Sequence, residues 1–167
     1  EIRIYDINQE AAQKYCQELS ETYGVRVVAV ESVEAAVRGA DVINVATAGA
    51  VSPEIHDEWL KEGVLLTLPA SAALSLDTMK SSRIVVDNWK MYEAYAQELR
   101  GLPGGYAANL SGICGYLMDL VESGEIPQKD IVNLGDVIAG KQECRRNDRE
   151  RVIFIMDGMP IEDLAWG

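Results

Sequence analysis

An acidic residue directly after the first apolar segment is the strongest chemical signal in the chain. Asp6 ends the segment IRIYD, and Ile7 and Asn8 lead into a helix-like pattern. In a dinucleotide-binding βαβ unit, a carboxylate at the end of the second strand accepts hydrogen bonds from the adenosine ribose hydroxyls. Its charge repels a 2′-phosphate, so this pattern favours NAD over NADP. The alternative is that Asp6 caps the helix that begins at Asn8.

The glycine-rich loop of such a unit, GxGxxG, does not occur in these 167 residues. It would have to precede Glu1, because the acidic residue follows that loop by about 20 residues. Glu1 already stands in what reads as a strand, and residues 158–167 stop at the start of a helix. We therefore expect an interior piece of a longer protein, with a processed small domain as the alternative.

Small residues follow two of the later apolar segments. These are residues 47–50 (TAGA) and residues 69–73 (PASAA). At the carboxyl end of a parallel strand, small residues allow a ligand to approach the backbone closely. Ordinary small-residue turns explain them equally well. Ser71 is a candidate helix cap or ligand contact, but no base stands beside it in sequence, which disfavours a nucleophile.

Acidic residues also follow two further apolar segments. Asp157-Gly158 follows the last one, and Asp87-Asn88-Trp89 follows an earlier one. If both segments are strands of one sheet, these acids reach its carboxyl edge, although turn chemistry alone accounts for both sequences. The arginines between residues 145 and 151 are typical of a solvated loop, with a phosphate or partner contact as the alternative. None of these patterns designates a catalytic residue.

Apolar periodicity predicts short strands that alternate with helices. Strands are expected at 2–6, 25–30, 41–47, 64–68, 83–87 and 152–156. Helices are expected at 9–23, from Ser32 to before Gly39, and at 53–61, 89–99, 109–122 and 130–139. A short helix or a turn is expected at 76–81. This order predicts an α/β fold, a doubly wound parallel sheet of the Rossmann type that lacks its first strand in this chain. The strand at 41–47 is expected to be buried on both faces.

Composition excludes several classes of protein. The chain has 48% hydrophobic residues and a formal net charge of −12, so it is globular and a poor match for nucleic acid or anionic lipid. No apolar run has the roughly 18 residues of a membrane span. Three widely spaced cysteines and one histidine favour free thiols in a reducing cytoplasm and argue against a bound metal.

Six segments together resemble the ornithine cyclodeaminase/μ-crystallin family. They are RIYDIN (3–8), SVEAAVRGADVINVATAG (32–49), WLKEGVLLTLPAS (59–71), RIVVDN (83–88), LGDVIAGK (134–141) and FIMDGMPIEDLA (154–165). The resemblance implies a protein about twice as long. It also implies a Rossmann-type NAD(P) domain and a second domain, built from both chain ends, that forms a homodimer and much of the substrate site.

Within that resemblance, residues 1–167 are a partial dinucleotide-binding domain. Residues 99–133 are a helical insertion, and residues 158–167 begin the return to the dimerisation domain. The implied activity is NAD-dependent chemistry at the Cα of an amino or imino acid, by an oxidoreductase or a deaminating lyase. Asp157 matches a position near the substrate. The implied cofactor-binding residues are Asp6, Ile7, Asn8, Thr47, Ala48, Pro69, Ala70, Ser71 and Met156.

The chain departs from the family at its acid/base motif. Cyclodeaminases carry the motif GGD after the strand that corresponds to residues 64–68. In this chain the counterpart of the motif's Asp is Ala72, or Ser71 if the alignment gap is placed differently. A lysine of the same motif is absent, with Leu76 near its place. Because neither Ala nor Ser replaces a carboxylate in proton transfer, the usual cyclodeaminase route is in doubt. A non-catalytic binding protein of the μ-crystallin kind is therefore the second hypothesis, and a purely assembling domain is the third.

Overall fold

The computed structural model describes residues 1–47, 52–110 and 112–158. The strands are β1 Ile2–Ile4, β2 Val27–Ala29, β3 Val42–Asn44, β4 Leu65–Leu68, β5 Arg83–Val86, β6 Val132–Asn133 and β7 Val152–Ile155. The helices are α1 Gln9–Tyr23, α2 Val33–Val37, α3 Leu76–Ser81, α4 Trp89–Leu99, α5 Ile113–Glu122 and α6 Leu134–Ile138. Two short 3-10 turns lie at Asp57–Trp59 and Gln128–Asp130.

Five strands form one sheet in the order β3-β4-β7-β5-β6, and β1 and β2 pair in a second sheet. Every strand pair is parallel. The last strand, β7, lies between β4 and β5, so that Phe154 faces Thr67 on one side and Val85 on the other. The predicted parallel α/β architecture is confirmed. Because the strands are parallel, the carboxyl ends of the five lie at one edge of the sheet.

Helices cover both faces of the five-stranded sheet. One face presents the larger core, in which Leu66, Ile84 and Ile153 pack against side chains of α3, α4 and α5. The opposite face presents a smaller core, in which Val85 and Val152 pack against α6. The strands alternate between the two cores, as a sheet buried on both sides requires. The doubly wound arrangement of this sheet is thereby confirmed.

Helix α1 has the predicted bounds because both of its ends are determined by local chemistry. The Asn8 side chain accepts a hydrogen bond from the N–H of Ala11 at 3.0 Å, which satisfies a free donor of the first turn. At the other end, Gly24 adopts a left-handed conformation with φ of 64°, and its N–H donates to Ser20. The predicted helix at 89–99 is also confirmed, and the segment 76–81, predicted as a helix or a turn, is a helix.

Three predicted elements differ from the structure. The helix predicted at 53–61 is reduced to the turn Asp57–Trp59, because the chain before it pairs at an isolated bridge from Glu54 to Ala73. The helix predicted at 130–139 is instead a turn, the short strand β6 and the short helix α6. The helix predicted at 109–122 begins only at Ile113.

The strand predicted at 41–47 was expected to be buried on both faces, and this is wrong. In the described part of the chain β3 is an edge strand of its sheet. Ile43 is buried in the larger core, whereas Val42 is 60% exposed on the other face. There the Thr67 hydroxyl donates to Asn44 Oδ1 at 2.7 Å, a polar pair suited to a solvated sheet surface.

Arg146, Arg149 and Arg151 pair with acids of this chain. Arg151 donates to the Asp57 carboxylate at 2.6 Å and to the Leu60 carbonyl at 2.7 Å. Arg149 pairs with Glu62 at 2.7 Å, and Arg146 pairs with Glu150. The bonds of Arg149 and Arg151 attach the segment before β7 to the segment before β4. Among the described helices, none is long and apolar enough to cross a membrane.

Candidate functional site

The carboxyl ends of β3, β4 and β7 lie side by side, and the residues that follow them line one cavity. Its volume is about 280 Å³. Thr47 follows β3, and Asp157 follows β7. The predicted site residues that line it are Thr47, Pro69, Ala70, Ser71, Met156 and Asp157. In open α/β sheets, ligands bind in the crevice outside the carboxyl ends of the strands.

The start of α5 forms another wall of this cavity, which sequence reasoning missed. Gly112, Ile113 and Cys114 line it. Gly112 has φ of 82°, a left-handed conformation, and a Cβ there would lie 3.4 Å from Ser71 Oγ. The only sequence signal was a glycine before an apolar run. Contact with Ser71 depends on how α5 packs over the sheet, which periodicity does not reveal.

The predicted residues Asp6, Ile7 and Asn8 do not line this cavity. They follow β1 in the two-stranded sheet. Asp6 Oδ1 accepts the N–H of Asn8 at 2.7 Å, while Asn8 itself caps α1. Asp6 therefore organises the turn before the helix rather than capping it. Ile7 is 89% exposed, so an acidic and an apolar side chain stand together at the end of this strand. Predicted residue Ala48 lies outside the described residues.

Asp87 is a buried carboxylate at the same edge of the five-stranded sheet, directly after β5. It is 7% exposed. Its Oδ2 accepts the N–H groups of Asp157 at 3.0 Å and of Gly158 at 3.2 Å, and its Oδ1 accepts the N–H of Asn88 at 2.9 Å. The sequence signal was an acid after a buried strand, for which turn chemistry was an equal explanation. The structure gives it a further partner, the backbone that follows β7.

Three protonated side chains from α4 and α5 stand beside Asp157. The Tyr92 hydroxyl lies 3.7 Å from Cys114 Sγ in the core. Burial, followed by the charge of Asp157, raises the pKa of Cys114 to about 12. Burial also raises the pKa of Tyr92 and, together with nearby Asp157, that of Tyr95. All three groups are therefore protonated at neutral pH, and Cys114 is not a thiolate nucleophile.

The segment after β4 offers no carboxylate. Ala72 is buried in the core, and Ser71 faces the cavity. Leu76 is the first residue of α3. A second cavity of about 310 Å³ shares Pro69, Met156 and Asp157 with the first and also reaches Asp87. Asp157 therefore stands in the wall between two cavities. Among the described residues, no group of three or more His, Cys, Asp or Glu side chains is placed to hold a metal ion.

The model of the family described as "Ornithine cyclodeaminase/mu-crystallin family" matches residues 1–167. An alanine dehydrogenase of Archaeoglobus fulgidus is 29% identical over 171 residues, which is 99% of this chain and 46% of that protein. An ornithine cyclodeaminase of Agrobacterium fabrum is 26% identical over 170 residues, which is 98% of this chain and 41% of that protein. The chain thus spans less than half the length of these curated relatives.

The chain is also similar in fold to a solved structure. The Δ(1)-pyrroline-2-carboxylate reductase of Thermococcus litoralis, in complex with NADH and L-proline, superposes with a TM-score of 0.69 at 26% identity. The match covers 96% of this chain and 46% of that one.

Proposed function

The chain belongs to the ornithine cyclodeaminase/mu-crystallin family, and we propose that it is the dinucleotide-binding part of an NAD-dependent enzyme that acts at the Cα of an amino or imino acid. The main support for this proposal is the cavity at the carboxyl edge of the sheet, which is lined by residues that follow β3, β4 and β7. The similar reductase of known structure holds NADH and L-proline. A dinucleotide and an amino acid bound side by side would therefore suit the carboxyl edge of this sheet.

The residues at the two ends of the proposed cofactor site fit the two halves of NAD. Asp6 offers a carboxylate oxygen, Oδ2, that accepts no hydrogen bond from the described residues, and it would hold the ribose hydroxyls. The exposed Ile7 beside it would pack against adenine. Thr47 and the backbone of Pro69, Ala70 and Ser71 would hold the nicotinamide half, with Met156 alongside. When bound, NAD supplies the hydride chemistry, while the protein supplies position and electrostatics.

The domain arrangement is also part of the proposal. β1 and β3 each have one unpaired edge among the described residues, because β1 pairs only with β2 and β3 only with β4. A parallel strand preceding Glu1 would join the two sheets and lead into the glycine-rich loop that holds the pyrophosphate. Residues 158–167 would return to a second domain that forms a homodimer and completes the substrate site. Residues 99–133, which contain α5 and the turn Gln128–Asp130, would be an insertion.

The proposed partner is an amino-acid-like small molecule, with no nucleic acid and no membrane. The net charge of −12 supports the exclusion of polyanions. The free thiols of Cys16, Cys114 and Cys144 agree with a cytoplasmic location.

A substrate screen tests this function. The full-length protein is incubated with NAD and each common amino acid, and NADH is followed by absorbance. We expect NADH production with at least one amino acid, and faster reaction with NAD than with NADP. Binding of NADH with neither turnover of any amino acid nor reduction of any imino acid in the reverse direction would contradict the enzymatic proposal.

The second candidate is a protein that binds the dinucleotide without turnover. Ala72 and Ser71 favour it, because the segment after β4 lacks the family's carboxylate. It predicts that NADH binds as tightly as in an enzyme while the screen stays negative in both directions. A single positive substrate removes this candidate.

A further inference from the structure

We propose that Asp157 exchanges a proton with the nitrogen of the amino or imino substrate, and that Asp87 is its positioning residue. This inference rests on the proposed function, and it assigns to Asp157 the carboxylate chemistry that the segment after β4 cannot perform. Sequence resemblance supplied only a position near the substrate. The structure adds the charge of the cavity, the rigid support of the loop and the surroundings of the carboxylate.

The charge of the cavity favours a cationic nitrogen. Among the described residues that line it, Asp157 is the one that carries a charged side chain at neutral pH. The other polar groups are hydroxyls of Thr47, Ser52 and Ser71 and the thiol of Cys114. A substrate ammonium or iminium would therefore be attracted by the Asp157 carboxylate, and no described lining residue carries a positive charge that would repel it. In a partly buried site this attraction is stronger than in bulk water.

Asp87 fixes the backbone position of Asp157. One oxygen of the buried Asp87 accepts the two successive N–H groups of Asp157 and Gly158. The other oxygen accepts the N–H of Asn88. The loop after β7 is thereby attached to the end of β5, the next strand of the sheet. Hydrogen bonds to a carboxylate are stronger than neutral ones, so the backbone of Asp157 is fixed before any ligand arrives.

The neighbours of Asp157 do not compete with it as bases. Tyr92 and Tyr95 from α4 and Cys114 from α5 face it, and Asp87 faces its backbone from β5. Burial raises the pKa of each of the three protonated groups. They remain neutral donors near pH 7. The Ser71 hydroxyl also lines the cavity.

The proton step is simple in its atoms and electrons. An N–H bond of the substrate ammonium breaks, its electron pair stays on nitrogen, and the proton forms an O–H bond with the Asp157 carboxylate. The resulting free amine has the lone pair that a C=N bond requires. In the reverse direction the protonated Asp157 returns that proton to nitrogen. Positioned groups of this kind contribute about 10²–10⁴-fold to the rate.

The test uses the full-length protein and the isosteric variant Asp157→Asn. Binding of two matched pairs is measured by calorimetry in the presence of NADH: L-alanine against propionate, and L-proline against cyclopentanecarboxylate. The wild-type protein is expected to bind the nitrogen-bearing member about tenfold more tightly in at least one pair, which is about 1.4 kcal/mol. Asp157→Asn should reduce that preference to less than about twofold. Asp157→Glu should retain it, and so should the control Glu98→Gln, an exposed acid of α4.

Activity gives an independent reading. Asp157→Asn should lower kcat by about 10²–10⁴-fold and remove the acidic limb of the kcat/KM profile. Asp87→Asn should lower kcat less and leave that limb in place. NADH binding unchanged in Asp157→Asn shows that the site is folded. A wild-type protein without preference for nitrogen, or an Asp157→Asn variant that keeps the preference and the limb, overturns the inference. Absence of NADH binding in the wild type overturns the proposed function instead.

Discussion

The buried carboxylate of Asp87 holds the backbone of Asp157, whose N–H donates to Asp87 Oδ2 at 3.0 Å. The two residues follow neighbouring strands, β5 and β7, and lie 70 positions apart in the chain. A local turn in one segment is thus joined to a loop in another at the edge where the cavity opens. This bond makes Asp87 a structural determinant of the site, although it does not line the first cavity.

Removal of the Asp87 carboxylate should destabilise the protein. Asp87→Ala leaves the N–H groups of Asp157, Gly158 and Asn88 without their acceptor in a partly buried place. The expected loss in the free energy of unfolding is about 1–3 kcal/mol. Urea denaturation followed by tryptophan fluorescence measures it. Glu98→Ala, on an exposed surface of α4, should change the same quantity by less than about 0.5 kcal/mol. Equal losses in the two variants would refute this role.

Gly115 allows α5 to pack closely on the turn before it. A Cβ at this position would lie 2.6 Å from the Tyr106 carbonyl oxygen and 2.8 Å from the Ala107 Cα. Gly115→Ala should therefore displace α5 and lower the free energy of unfolding by about 1–3 kcal/mol. Gly135→Ala is the matched control in α6, where a Cβ meets no atom within 4 Å. The control should be neutral or slightly stabilising, because alanine is the better helix former.

The Arg151 side chain is expected to matter more than exposed ion pairs do. It is largely buried and donates to the Asp57 carboxylate and the Leu60 carbonyl. Arg151→Met should lower the free energy of unfolding by about 1–3 kcal/mol, since two partly buried hydrogen bonds from a charged donor are lost. Lys14→Met, which breaks the exposed pair with Glu18 at 3.9 Å, should change it by less than about 0.5 kcal/mol. Denaturation midpoints that shift equally would argue against the difference.

The raised pKa of Cys114 predicts a loss of stability at alkaline pH. Burial and the charge of Asp157 raise this pKa from 9.0 to about 12. Between these values the folded protein keeps the thiol proton while the unfolded chain has released it. The free energy of unfolding should therefore fall as pH rises through this window, by up to about 1.4 kcal/mol per pH unit from this group. Cys114→Ala should make the fall less steep. A slope identical to that of the wild type would disprove the contribution.

Sequence patterns predicted the elements whose ends are determined locally. Helix α1 has the predicted bounds because Asn8 and Gly24 are cap residues in their own right. The strand β6 was missed because two residues are too few for a periodic signal. The burial of β3 was predicted wrongly because β3 lies at the edge of its sheet in the described part of the chain, and an apolar run does not reveal a strand's place in the sheet order.

The candidate site likewise contains residues that the sequence could predict and residues that it could not. Residues after strand ends, such as Thr47 and Asp157, were predictable because parallel strands end at one edge. Gly112 and Cys114 were not, because their place depends on the packing of α5. The link between Asp87 and the loop after β7 depends on β7 entering the sheet beside β5, which no local pattern encodes.

The proposed NAD site is tested most directly by a titration of NADH and NADPH into the full-length protein. The Asp6 carboxylate should make NADH bind more tightly than NADPH, because it accepts ribose hydroxyls and repels a 2′-phosphate. Asp6→Ala should weaken NADH binding and bring the two affinities together, while Glu31→Ala, an exposed acid that follows β2, should leave both unchanged. Equal affinities in the wild-type protein would contradict the role of Asp6, and absence of binding of either nucleotide would contradict the account as a whole.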